Sequence, residues 1–198
     1  MKEINVKGTA RAAFGKKAAH EIRKANAVPC NLYGEAKDEN GAPVALPFTV
    51  TNDELRNLIY SPDIYAVNLN IDGKECKAIL KEIQFHPVKD NVLHVDFYEI
   101  TDTKPIVMEV PIKLNGLAEG VKAGGKLALQ MRKIKVKALY NVIPEKLIVN
   151  VSHLGLGKTV KVGELSFEGL ELISAKEAVV CAVKLTRAAR GAAAAAGK

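Results

Sequence analysis

The stretch that most constrains the fold is YAVNLNIDGKECKAILKEI, residues 65–83. Apolar and polar side chains alternate through 65–71, the period of a strand with one face buried. Asp72-Gly73 follows, a pair suited to the tight turn of a hairpin, and 75–83 runs back as the partner strand. The rest of the first hundred residues supplies strands to go with it. Ile4 and Val6 alternate with Asn5 and Lys7, 28–33 reads as a strand entered through Pro29, and 44–50 returns after a polar tip whose Asn40-Gly41 pair favours a tight turn. The segment 92–100 places His94, Asp96 and Tyr98 on one face and Leu93, Val95 and Phe97 on the other.

Helices interrupt this pattern. Wound at about 100° per residue, 16–25 gathers Lys16, Lys17, His20, Arg23 and Lys24 on one side, with Ala18, Ala19, Ile22 and Ala25 on the other. Asn26 supplies the stop. Thr51 and Glu54 have the spacing of a capping box, opening a helix through Leu55, Leu58 and Ile59 that Pro62 ends. About six strands and two helices in 1–100 suit a small, mostly antiparallel β-barrel with helical insertions.

Polar residues 101–104 followed by Pro105 mark a boundary. Beyond it, 106–114 is a strand, 115–126 a glycine-rich loop, and 134–140, 146–152, 159–165 and 178–185 are short strands. The expected organisation is an α+β barrel domain over 1–100, a β-rich domain over 101–187, and a low-complexity alanine-rich tail over 188–198 that has no apolar stripe to bury. The fold class is mainly β.

Charge narrows the function. The formal net charge is +7, and it is unevenly spread: residues 1–34 hold 7 Lys/Arg against 2 Asp/Glu, 35–100 hold 6 against 12, and 101–198 hold 16 against 8. Two basic ends around an acidic middle favour a polyanionic partner. Three widely separated cysteines imply thiols in a reducing compartment, not a disulfide framework. The start, MKEINVKGTA, lacks the apolar core of a secretory signal, and no run approaches the roughly 18 apolar residues of a membrane span, so the expectation is a cytoplasmic protein with no membrane partner.

Catalytic motifs are weak. GLAEGVKAGGK at 116–126 lacks the Gly-Lys-Ser/Thr ending of a phosphate-binding loop and reads as a wide turn, while GLGKT at 155–159 lacks the upstream glycine. His86, His94 and Asp96 could ligate a metal, but no further ligand stands at a standard spacing, and polar groups on a hydrogen-bonding surface are the better reading. No serine sits in a nucleophile elbow, and Cys30 has no sequence neighbour to lower its pKa. The residues suggest no enzyme, no cofactor and no small-molecule substrate. What remains is a surface: the cationic helix face, Tyr33 at the end of the next strand, and the segment 84–96 with Gln84, His86, Lys89, His94 and Asp96. Lysine and arginine meet phosphates, Gln and His reach base edges or riboses, and a carboxylate accepts from base amino groups or orients a neighbouring cation.

At these residues the chain resembles the bacterial large-subunit ribosomal protein family numbered twenty-five, in its two-domain CTC or general stress protein form. Arg11, the GKKA at 15–18, Ile22-Arg23-Lys24 and the run from Val28-Pro29 to Leu32-Tyr33-Gly34 look like one signature of that family. Gln84-x-His86-Pro87-Val88-Lys89 and His94-Val95-Asp96-Phe97 look like a second. The C-terminal half fits through Val110-Pro111, Gly120-Val121, Gly124-Gly125-x-Leu127, Ile143-Pro144-Glu145 and Val151-Ser152-x-Leu154. The resemblance implies a barrel similar to the anticodon-binding barrels of glutaminyl-tRNA synthetase, docked through a widened minor groove on an irregularly paired internal loop of 5S rRNA in the central protuberance of the 50S subunit. It implies RNA contacts or interface-organising roles for Arg11, Lys16, Arg23, Tyr33, Gln84, His94 and Asp96, and as further partners neighbouring large-subunit proteins and 23S rRNA. Where family members often carry Ser-Arg-Arg, this chain has Ala19-His20-Glu21, and Glu21 at the edge of the cationic stripe should repel phosphate. A tRNA-binding module of the synthetase kind is the alternative reading.

Overall fold

The computed structural model describes residues 1–37 and 43–186; the Asn40-Gly41 turn and the tail over 188–198 lie outside the described residues. The chain forms two compact units, Met1–Lys104 and a second beginning at Pro105. In the first, β1 (Lys2–Ala10), β2 (Ala27–Lys37), β3 (Pro43–Thr51), β4 (Tyr65–Ile71), β5 (Lys74–Phe85) and β6 (Val92–Glu99) close into a barrel in the order β1-β3-β2-β6-β5-β4. The barrel is not wholly antiparallel, because β1 runs parallel to β4 and β2 parallel to β6. Alternation along a strand records which face is buried but not the direction of its neighbour, so these two seams are invisible in the pattern.

Val28, Cys30, Phe48, Val67, Val95 and Phe97 are inaccessible inside the barrel, with the Phe48 and Phe97 rings 5.7 Å apart. Burying each large apolar side chain stabilises the fold by about 1.5–3 kcal/mol. Gly8 lets β1 pass close over this core: a Cβ there would stand 2.6 Å from the Phe48 ring. The hairpin forms as the alternation requires. Asp72 and Gly73 have φ of 48° and 90°, and the Asn70 side-chain oxygen accepts from the Gly73 amide at 3.1 Å.

Helices α1 (Lys16–Lys24) and α2 (Asn52–Ile59) join β1 to β2 and β3 to β4. The left-handed stop falls on Asn26, at φ 59°. At α2 the capping box does not close. Thr51 occupies the cap position with no side-chain cap bond, and the Glu54 carboxylate instead accepts from the Lys7 amide at 2.9 Å. Strand β1 pairs with β3 only through Thr9 and Ala10, and Glu54 serves an amide that this short ladder does not reach.

The second unit contains β7 (Ile106–Asn115), α3 (Glu119–Lys122), β8 (Lys126–Leu129), β9 (Lys133–Ala138), β10 (Leu147–Asn150), β11 (Thr159–Lys161), β12 (Glu171–Leu172) and β13 (Val179–Lys184). They make a four-stranded sheet, β10-β7-β9-β12, and a three-stranded one, β11-β13-β8. The glycine-rich stretch 115–126 is not a plain loop, since it holds the single turn of α3. Its glycines serve packing. A Cβ on Gly120 would stand 2.6 Å from the backbone of Gly155 and Leu156, so the two glycine motifs of this unit lie against each other.

Candidate nucleic-acid interface

Helix α1 starts at Gly15, whose φ of 94° suits glycine, and ends with Arg23 and Lys24 in its last turn. None of its residues is buried: Ala18, Ala19 and Ile22 are half-covered, whereas Lys16, Lys17, His20, Arg23 and Lys24 are exposed. The predicted two-sided helix is therefore present, with its apolar side only lightly docked. Among the described residues Lys16, Lys17 and Lys24 have no ion-pair partner. Three lysines of β9 and β11 differ, with Lys135 facing Glu109 at 3.8 Å, Lys137 facing Glu171 at 3.2 Å and Lys161 facing Glu177 at 2.7 Å, whereas Lys133 at the start of β9 has no such partner among the described residues.

Beside the helix, the barrel wall sets polar groups in rows. The Arg11 amide donates to the Pro47 carbonyl at 3.1 Å, Pro47 lies opposite Asn31, Asn31 beside Asp96, and Asp96 opposite Glu82. In the adjoining rows His94 lies opposite Gln84, and Tyr33 beside Tyr98 with ring centroids 5.9 Å apart. His94 Nδ1 and Asp96 Oδ1 are 3.4 Å apart, each side chain about one-fifth exposed, at 20% and 22%. Burial, then the charges of Asp96 and Glu82, push the Tyr33 hydroxyl above its usual range. The Cys30 thiol, just inside this wall, is pushed up to about 12, chiefly by burial and then by the charge of Asp96, with Arg11 opposing. Arg11 and Asp96 thus act on the same point of the wall.

Arg23 belongs to this wall as well as to the helix: its Nε and Nη2 donate to the Leu93 carbonyl at 3.1 and 2.9 Å. Leu93 was expected on the core face but is half-covered. Ile83 pairs with Val95 and Gln84 with His94, after which Phe85 pairs with Val92, leaving Leu93 as the extra residue of a β-bulge. Val92 takes the core position, at 7% exposure.

His86 sits apart, in the turn after β5. Its Nδ1 accepts from the Val88 and Lys89 amides, both at 3.2 Å, while its own amide donates to the Asn91 carbonyl at 2.8 Å. His86 organises the turn that displays the exposed Lys89. His86, His94 and Asp96 are not brought together as a metal set, and no group of three or more His, Cys, Asp or Glu among the described residues is placed to hold a metal.

Phe14 is the residue that sequence reasoning missed. It is 66% exposed and lies under the Arg11 guanidinium, 5.7 Å from charge to ring centroid, a geometry that holds Arg11 and offers a flat apolar ring at the foot of α1. Its signal was its place inside the most basic stretch of the first half. Asn31, Glu82 and Tyr98 were also missed as neighbours, since only the strand pairing brings them beside Asp96 and Tyr33.

Comparison with known proteins adds an independent line. The family model described as the Ribosomal L25p family matches residues 6–97, and that described as Ribosomal protein TL5, C-terminal domain, matches 105–187. The chain is 74% identical over 198 residues to the large ribosomal subunit protein bL25 of Phocaeicola vulgatus, covering 100% of both chains. It is 74% identical over 203 residues to that of Bacteroides thetaiotaomicron, again covering 100% of both, and 62% identical over 194 residues to that of Porphyromonas gingivalis, covering 98% of both. Matches of this extent across both units leave one assignment: the chain belongs to the bL25 family of large ribosomal subunit proteins, a family of structural proteins and not of enzymes.

Proposed function

We propose that the chain is a structural component of the large ribosomal subunit in the bacterial cytoplasm, and that its barrel, residues 1–100, binds 5S rRNA. The observation that carries this reading is that α1, on which Lys16, Lys17 and Lys24 are exposed and without ion-pair partners among the described residues, is tied by Arg23 to Leu93, next to His94 in the wall that also carries Asp96. The cations supply phosphate contacts and most of the affinity; Tyr33, Gln84, His94 and Asp96, fixed on a rigid sheet, supply discrimination by shape and base contact. His20 and Lys89 extend the cationic rim. Neighbouring large-subunit proteins and 23S rRNA are the further partners in this reading.

The test is filter binding of the full chain to labelled 5S rRNA against unlabelled tRNA. Retention of 5S rRNA under a large excess of tRNA is the expected result. Equal displacement by tRNA would transfer the assignment to a tRNA-binding module, whose barrel architecture the alternative reading shares.

A further inference from the structure

We propose that Arg23 is a positioning residue, a clamp that fixes the angle of α1 against the barrel, and that its contribution to RNA binding comes through this clamp and not through a phosphate. The inference deepens the reading of α1 as an RNA-binding face and rests on it. Three observations support the clamp. Helix α1 buries none of its residues and has no side-chain cap at its N-terminus, so apolar packing alone holds it weakly. The guanidinium places two of its donors, at 3.1 and 2.9 Å, on one carbonyl oxygen. That carbonyl belongs to Leu93, the bulged residue of β6, where the regular ladder is interrupted.

The position is consequential. Leu93 directly precedes His94, so a single pair of hydrogen bonds ties the C-terminal turn of the cationic helix to the start of the His94–Asp96 row. Lys24, next along the helix, has no such tie among the described residues and remains available to phosphate. The two adjacent cations therefore divide the work: Arg23 sets the geometry, and Lys24 provides charge. Lysine cannot replace the clamp, since a point ammonium has no rigid planar fork to hold two adjacent donors on one acceptor.

The roles separate in the salt dependence of 5S rRNA binding, because each phosphate contact contributes about 0.7–0.9 to the slope of log K against log salt, whereas loss of a positioning interaction lowers affinity without releasing fewer counterions. With the clamp gone, a docked population reduced to roughly a tenth lowers the apparent affinity about tenfold. Arg23→Gln and Arg23→Lys are both expected to bind about tenfold more weakly than the natural chain with its salt slope retained, while Lys24→Gln flattens the slope by about 0.7–0.9. Amide hydrogen exchange of the free full-length protein supplies a readout without RNA, with faster exchange through Lys16–Lys24 expected in both Arg23 variants and unchanged exchange in α2. Full affinity in Arg23→Lys, a flattened slope in Arg23→Gln, or unaltered exchange in α1 overturns the clamp. If the natural chain does not bind 5S rRNA at all, the RNA reading falls, and the exchange measurement still decides the clamp.

Discussion

The two helices of the barrel unit are nearly the same length, nine residues and eight, and serve opposite purposes. Helix α2 buries Leu55 and Leu58 in the barrel core and lends Glu54 to the backbone of β1. Helix α1 buries nothing and holds to the barrel through half-covered alanines, Ile22 and the two hydrogen bonds of Arg23. The contrast locates function in a way that net charge does not. On the sheets of the second unit Lys135, Lys137 and Lys161 face carboxylates, while Lys113, Lys126, Lys133 and Lys184 have no ion-pair partner among the described residues; what sets α1 apart is that Lys16, Lys17 and Lys24, likewise without ion pairs, gather on one short element the core does not need.

The contrast is most sharply tested by exchanging its consequences. Leu55→Ala, at a side chain 1% exposed, should destabilise the barrel by about 3 kcal/mol in urea titration and leave the RNA affinity of the folded protein unchanged. Reversing Lys16, Lys17 and Lys24 together to Glu should do the converse, lowering 5S rRNA affinity by on the order of 100-fold with the urea midpoint nearly unmoved. A triple variant that unfolded the barrel would erase the distinction between the helices.

Two smaller effects probe the wall on which they sit. The Cys30 thiol is neutral in the fold up to about pH 12. Its ordinary value lies near 8.5–9, so its stabilising contribution is fully present below that range and declines as the pH rises toward 12, by at most about 1.4 kcal/mol per pH unit. Cys30→Ala should therefore lose less stability than the natural chain between pH 9 and 12 in thermal melts; parallel pH profiles would argue against a buried neutral thiol. Smallest is the start of α2. Glu54→Gln should cost about 1 kcal/mol through its bond to the Lys7 amide. Thr51→Ala should cost less than the roughly 0.5–2 kcal/mol typical of a cap residue, because its side chain caps nothing. A larger loss at Thr51 than at Glu54 would restore the capping box.

These results separate what was legible in the chain from what was not. The Tyr65–Ile71 alternation and the Asp72-Gly73 turn announced their hairpin because both signals are local. The two-sided character of α1 was legible for the same reason. The parallel seams were not, since strand direction leaves no mark on the alternation of side chains. Leu93 was misplaced because a bulge inserts one residue and reverses the face rule from that point, and the Arg23 clamp was hidden with it. In the second unit β12, two residues long, is too short for periodicity to declare. Of the candidate interface, the alternation of 92–100 put His94 and Asp96 on one face and left Arg11 separate, and the register of β3, β2 and β6 joined Arg11 to Asp96 through Asn31.

The division of labour between the helices can be observed in a single titration. Amide chemical shifts of the isotopically labelled full chain, followed as 5S rRNA is added, should move through Lys16–Lys24 and at Asn31, Tyr33, Gln84, His94 and Asp96, while those of Asn52–Ile59 stay in place. Shifts concentrated in α2 or in β9, with α1 unperturbed, would contradict the account.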